Sequence, residues 1–337
     1  MSFYTSIFNP KSPKKWILKS IFSVLFIVMF IFGFNYVIDP YNMTQYNMLD
    51  IKYKFARDDR TEKVNFFKTL QKFDNILVGS SRVYSINPRK VSQMIGGTTY
   101  NFGVGTATVE DHLGILLYLQ KNHKLPKNLI IGIDFYTFNP NTPPNSYFLS
   151  NEELNFLSYA NKDGVYWSKF LSFDATRASF KTLKNHIKNK NDKPRFDKFG
   201  WGSAYLHNEK RIIQDELPEI KAEIERNRVL MYSDFKYQHI DKKRIAYYEK
   251  IREICKENDI RLYIFGTPLH PILLKKFDSH RETKNALKEF KAYLATFENS
   301  TNFYDDEEFI NNMYNFQGAT HTTANAGDII IKKVFTK

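Results

Sequence analysis

Apolar residues fall along this chain in three kinds of run, and each kind predicts a different element. The first is long and unbroken: from Ser20 to Ile38 no charged residue appears over about 19 positions, and Trp16-Ile17-Leu18 stands just ahead. That length suffices for a helix to cross a ~30 Å hydrocarbon core. The second kind is short and solid. Ile76-Leu77-Val78 is closed by Gly79 and two serines, Thr98–Gly103 by a small-residue turn, Asn128–Phe135 by a polar loop, and Ile260–Gly266 by Thr267-Pro268. Short apolar runs ended by glycine or turn residues read as buried parallel strands. The third kind is periodic. A helix opens at Thr108 with Glu110 and Asp111 in its first turn and carries Leu113, Leu116, Leu117 and Leu119; others are expected over Arg244–Glu257 and from about Ala324 to Val334. Strands alternating with helices predict a doubly wound α/β sheet.

Two stretches depart from this rhythm. After Asp39-Pro40 breaks the long helix, residues 41–73 form a polar connector ending in a helical pattern. Between Phe138 and about Tyr237 the alternation stops: a proline-rich loop opens the stretch, and helix-like pieces such as Leu217–Val229 follow around a bend at Phe199-Gly200-Trp201-Gly202. That is too long for a plain crossover, so an inserted, mainly helical lobe is expected over about 139–237. The organisation is then a basic tail over 1–15, a spanning helix over 16–38, the connector over 39–73, and an α/β domain over 74–337.

Charge orients the long helix. Lys11, Lys14, Lys15 and Lys19 precede it and Asp39 and Asp50 follow, which puts the N-terminus in the cytoplasm and the α/β domain outside. No small-x-small cleavage signal lies between Asn35 and Pro40, so a retained single-pass anchor is expected, with Trp16 and Tyr36 at its two interfaces. The net charge of +13 is carried by scattered lysines without a dense basic run, which argues against nucleic acid and for anionic lipid or an acidic envelope polymer. The single Cys255 sits in a helical pattern and forms no internal disulfide; no Cys/His spacing suits a metal, and no cofactor is expected.

Candidate chemistry gathers at the ends of the strands. A serine nucleophile needs a base within reach and N–H donors for an oxyanion. Ser81 follows the first strand, the Gly103–Thr106 turn follows the second, and His321 stands just before the last helix. Gly79-Ser80-Ser81-Arg82, Asn101-Phe102-Gly103-Val104-Gly105, Ile131-Gly132-Ile133-Asp134-Phe135, Thr267-Pro268-Leu269-His270 and His321 with Gly327-Asp328-Ile329-Ile330 come in the order seen in the GDSL/SGNH hydrolase-like superfamily. The chain resembles its membrane-anchored branch, linked to O-acylation of cell-envelope polysaccharides, over most of the length beyond the anchor.

The resemblance implies a three-layer α/β/α domain in which Ser81 is the nucleophile, His321 the base, and the N–H of Ser81 with that of Gly105 or Thr106 the oxyanion hole. Ser80 stands where the motif has aspartate, and the acid expected three residues before the histidine falls on Gly318. Asp305 or Asp306 could supply that acid. Asp134, His270 and Arg82 are pocket candidates: Arg82 for an anionic substrate group or a salt bridge, Asp134 for strand-end structure, and His270 for the pocket or for its turn. The implied activity is an esterase or O-acyltransferase acting on ester-linked, acetyl-type groups of an envelope glycan. The implied partner is a membrane-bound O-acyltransferase, and the implied location the cytoplasmic membrane with the domain in the periplasm or outside. Loss of the acid at Gly318 leaves a second reading, a catalytically degenerate protein that binds glycan or a partner.

Overall fold

The computed structural model describes residues 13–41, 44, 48–51, 54, 58–69, 72–149, 151–157, 167–188, 196–202 and 217–336. The chain divides into two compact units, Met1–Glu62 with Asn161–Lys193, and Lys63–Ala160 with Pro194–Lys337. The expected insert is therefore shared between them.

In the first unit, α1 (Pro13–Ile38) is, among the described residues, the one helix long and apolar enough to cross a membrane. Its polar Asn35 is fully buried and fully used. The Asn35 amide donates to the Phe170 carbonyl (2.7 Å) and the Thr176 hydroxyl (3.0 Å), and its oxygen accepts from the Ser179 hydroxyl (2.8 Å).

The second unit holds a five-stranded sheet in the order β2-β1-β3-β4-β5, parallel throughout. In chain order its elements are α2 (Asp59–Thr69, entering from the first unit), β1 (Asn75–Val78), a 3₁₀ turn (Ser81–Ser85), α3 (Pro88–Ile95), β2 (Thr99–Asn101), α4 (Val109–Lys121) and β3 (Asn128–Ile133). Then come α5 (Ser146–Leu149), the first unit's α6 (Phe173–Ile187), α7 (Leu217–Tyr232), α8 (Lys242–Glu257), β4 (Arg261–Gly266), α9 (Pro271–Asp278), α10 (Arg281–Leu294), β5 (Ser300–Asn302), α11 (Glu307–Ile310) and α12 (Ala324–Phe335).

Alternate side chains of one strand enter opposite cores, as a pleated strand requires. Ile76, Val78, Leu129, Ile131 and Ile264 pack with α4, α8 and α10, whereas Leu77, Ile130 and Phe265 pack with α3 and α12. Helices thus cover both faces, which explains why the apolar stretches of β1, β3 and β4 run without alternation. β5 was not anticipated: Ser300-Thr301-Asn302 is short and polar and pairs with β4 alone, at the sheet edge. The expected second and third strands end sooner than their apolar runs, at Asn101 and Ile133, because the chain turns over the sheet there.

Candidate active site

Connections after β1 and β3 leave in opposite directions across the sheet, since β2 lies on one side of β1 and β4 on the far side of β3. Such a reversal opens a crevice at the carboxyl ends of the strands, where open α/β sheets bind ligands. Ser81 begins the 3₁₀ turn in that crevice, half-buried. The turn is seated by Val83. A Cβ added at Gly79 would come within 2.6 Å of it and one at Gly132 within 2.5 Å, and one at Gly103 would also collide with it. Absent side chains at the ends of β1 and β3 and after β2 therefore make the socket. Asn101, fully buried, donates to the Val83 carbonyl (2.8 Å), and Ser80 caps the turn by accepting from Arg82 N–H (3.2 Å).

His321 arrives on a small hairpin closed by a Phe316–Thr322 bridge and by Gln317 N–H to the His321 carbonyl (2.9 Å). That hairpin is tied to the serine turn by the buried Ser85–Thr322 hydroxyl pair (2.8 Å). At the start of α12, Gly327 lies so close to the Ser85 carbonyl that a Cβ would collide with it. The result is a Ser81 Oγ to His321 Nε2 distance of 2.9 Å.

Behind the imidazole stands a carboxylate that sequence reasoning missed. Glu223, on α7, places Oε1 3.9 Å from His321 Nδ1. The Thr320 hydroxyl lies between: it donates to Glu223 Oε1 and is 3.1 Å from His321 Nδ1. Because its proton is committed to the carboxylate, its lone pair faces the ring and accepts from Nδ1–H. That tautomer leaves Nε2 with a lone pair for the Ser81 hydroxyl. Glu223 Oε2 accepts from Ala319 N–H (2.7 Å) and fills the space where a side chain at Gly318 would begin. The missing acid and the glycine are one fact: the carboxylate enters from another helix because Gly318 leaves room for it. Asp305 and Asp306, the sequence candidates, are engaged elsewhere. Asp305 takes Lys291 (2.7 Å) and Asn302 (2.7 Å), and Asp306 caps α11 and pairs with Lys333 (2.7 Å).

Arg82 and Asp134 pair beneath the serine turn. Arg82 Nη1 meets Asp134 Oδ1 at 2.9 Å with both side chains buried, the Thr267 hydroxyl also donates to Oδ1, and the guanidinium lies 5.2 Å from the Tyr136 ring centre. Arg82 Nη2 donates to the Tyr232 hydroxyl (3.2 Å), and Asn139 donates to the Met231 carbonyl (3.0 Å). Both bonds hold the end of α7, and so fix the helix that carries Glu223. His270 is fully buried; its Nδ1 caps α9 by accepting from Ile272 N–H (3.2 Å), and its ring packs on Phe316. It is the turn histidine, one step behind the site.

Of the two oxyanion candidates, Thr106 sits in the left-handed region at φ 48°. Asn145 holds it there by donating to its carbonyl (3.2 Å) and its hydroxyl (2.7 Å). Such strain in a non-glycine residue persists only when its surroundings enforce it. Val104 N–H bonds the Gly79 carbonyl (2.9 Å), which draws the Gly105-Thr106 turn alongside the serine turn; Gly103 N–H is already given to Asn101 Oδ1 (2.9 Å).

Burial, then the neighbouring Arg82 guanidinium, pushes the His321 pKa below its ordinary value, against the opposing pull of Glu223 and Asp134. The ring is thus neutral at pH 7, the state a general base needs. Among the described residues no cluster of three or more His, Cys, Asp or Glu could hold a metal ion. No family model matches the sequence, and no curated protein matches it.

Proposed function

We propose that this protein is a membrane-anchored, SGNH-like serine acyl esterase or O-acyltransferase acting on ester-linked, acetyl-type groups of a cell-envelope glycan. The observation that carries the reading is the ordered chain Ser81–His321–Thr320–Glu223. His321 Nε2 takes the Ser81 proton as Oγ attacks the ester carbonyl, and the oxyanion is met by the N–H of Ser81 and of Gly105 or Thr106. Collapse of the tetrahedral centre breaks the bond to the departing oxygen, which takes the proton from Nε2 and leaves an acyl-serine. Water or a sugar hydroxyl then gives its proton to Nε2 and attacks the acyl carbon; the acyl–Oγ bond breaks, Oγ takes the proton back from Nε2, and the free acid or the new sugar ester leaves. The anchor, the basic side ahead of it and the resemblance together support a domain outside the cytoplasmic membrane, with acyl groups delivered by a membrane-bound O-acyltransferase.

The degenerate, binding-only reading drew on the glycine at position 318. The Glu223 carboxylate, 3.9 Å from Nδ1, supports the catalytic reading over it. The test is active-site labelling: the parent protein takes up a fluorophosphonate and hydrolyses an aryl acetate, and Ser81→Ala does neither. Undiminished hydrolysis by Ser81→Ala would sink the assignment.

A further inference from the structure

One helix outside the site has a face that neither the site nor the sheet uses. α6 packs on α1 through small residues, Ala175, Ala178, Ser179 and Thr182, all buried. Small side chains let two helices approach closely in the absence of water. Its opposite face carries Phe173, Arg177, Phe180, Lys184, Ile187 and Lys188, spaced so that they line one stripe. All six are exposed: Phe173 is 81%, Phe180 62% and Ile187 71% accessible. In water this arrangement is inverted, with small residues inside and large apolar ones outside.

Its place on α1 explains the inversion. From Pro13 to Phe30 the side chains of α1 are almost all exposed and apolar after the first lysines; partial burial begins at Ile31 and is complete at Asn35, which bonds Thr176 and Ser179 of α6. At 1.5 Å per residue Asn35 is about 28 Å from Trp16, the far edge of a ~30 Å core. There the Phe180 ring lies 5.0 Å from that of Phe34, continuing the apolar surface of α1. Trp167 and Leu171, exposed on the preceding turn, add to it. Rings and an isoleucine interleaved with Arg and Lys match a helix lying at the bilayer boundary, with apolar groups in the acyl region and cationic heads on phosphates.

We infer that α6 is an interfacial helix that seats the protein on the anionic headgroups of the leaflet α1 exits. The inference rests on α1 spanning the membrane and not on the serine chemistry.

The test uses the full chain in nanodiscs of phosphatidylcholine, alone or with phosphatidylglycerol. Nitroxide labels go on Phe180→Cys, on Phe26→Cys in α1, and on Glu298→Cys as an aqueous reference. Cys255 is buried and its thiol is pushed up to about 12, so it stays unlabelled. The ratio of relaxation by dissolved oxygen to relaxation by an aqueous nickel chelate should be several-fold higher at Phe180 than at Glu298. It should rise further with phosphatidylglycerol, and lose that rise in the Arg177→Gln/Lys184→Gln/Lys188→Gln variant. A label at Phe180 as open to nickel as that at Glu298, or shielded from both relaxants as under a second protein, overturns the inference while an oxygen-rich Phe26 keeps the span. An aqueous Phe26 overturns the span as well, and no response to phosphatidylglycerol overturns the headgroup contact.

Discussion

Thr320 joins the imidazole to its carboxylate, and its hydroxyl fills that role only because it both donates and accepts. Thr320→Val should lower kcat with little change in KM, and Thr320→Ser should restore most of the loss. Glu223→Gln should cost up to about 10⁴ in kcat, the figure for a directly contacting acid in a serine protease, and less where the hydroxyl still orients the ring. The double variant should lose little more than the worse single one, since the two residues act as a unit. Equal KM and kcat effects in steady-state assays would show instead that Glu223 binds substrate. Arg82→Leu leaves Asp134 as an uncompensated buried charge and should destabilise the protein by about 3–5 kcal/mol, read from urea midpoints. His321 and His270 both have folded pKa values below the usual 6.5, through burial first. As pH falls from about 7 to about 5.5 the unfolded chain takes up these protons before the folded one does, so stability declines over that window and is full above it. Urea midpoints at the two pH values check the sign. The serine, the histidine and the vacancy at Gly318 were legible in the sequence. Glu223 was not: it lies 97 positions before Thr320, in a helix whose other acids face water, and no local spacing marks it.

At the scale of elements, the serine turn depends on residues that lack side chains. Gly132→Ala would push on Val83 Cγ1 at 2.5 Å and on the Phe265 ring at 2.9 Å, both packed in the core. Overpacking of this kind is expected to destabilise by about 1–3 kcal/mol and, by lifting the turn, to slow fluorophosphonate labelling of Ser81. A denaturation midpoint unchanged from the parent would refute this role of the socket. β1, β3 and β4 could be read directly, because a strand covered on both faces carries a solid apolar stretch, here Ile76–Val78, Leu129–Ile133 and Leu262–Phe265. β5 could not, being short and polar at the edge. The insert was visible as an interruption of rhythm with helix-like pieces, Leu217–Val229 among them, but nothing in its sequence separated α6, which faces α1, from α7, which carries the carboxylate.

For the molecule as a whole, α1 predicts retention in membranes washed with alkaline carbonate and release by detergent; release by carbonate alone would contradict a span. The site also draws on parts far apart along the chain. Ser81 and His321 are 240 positions apart, and the Thr320–Glu223 bond joins the tail to the insert. Contacts between such distant positions close slowly, after the local helices and neighbouring strands that carry them. In refolding from urea into micelles, the far-UV signal should therefore recover ahead of fluorophosphonate labelling; labelling that returns with it or sooner would count against this order. A newly made chain would then hold a quiet serine until its last pieces meet, and the reactivity proposed for Ser81 would belong to the finished fold alone.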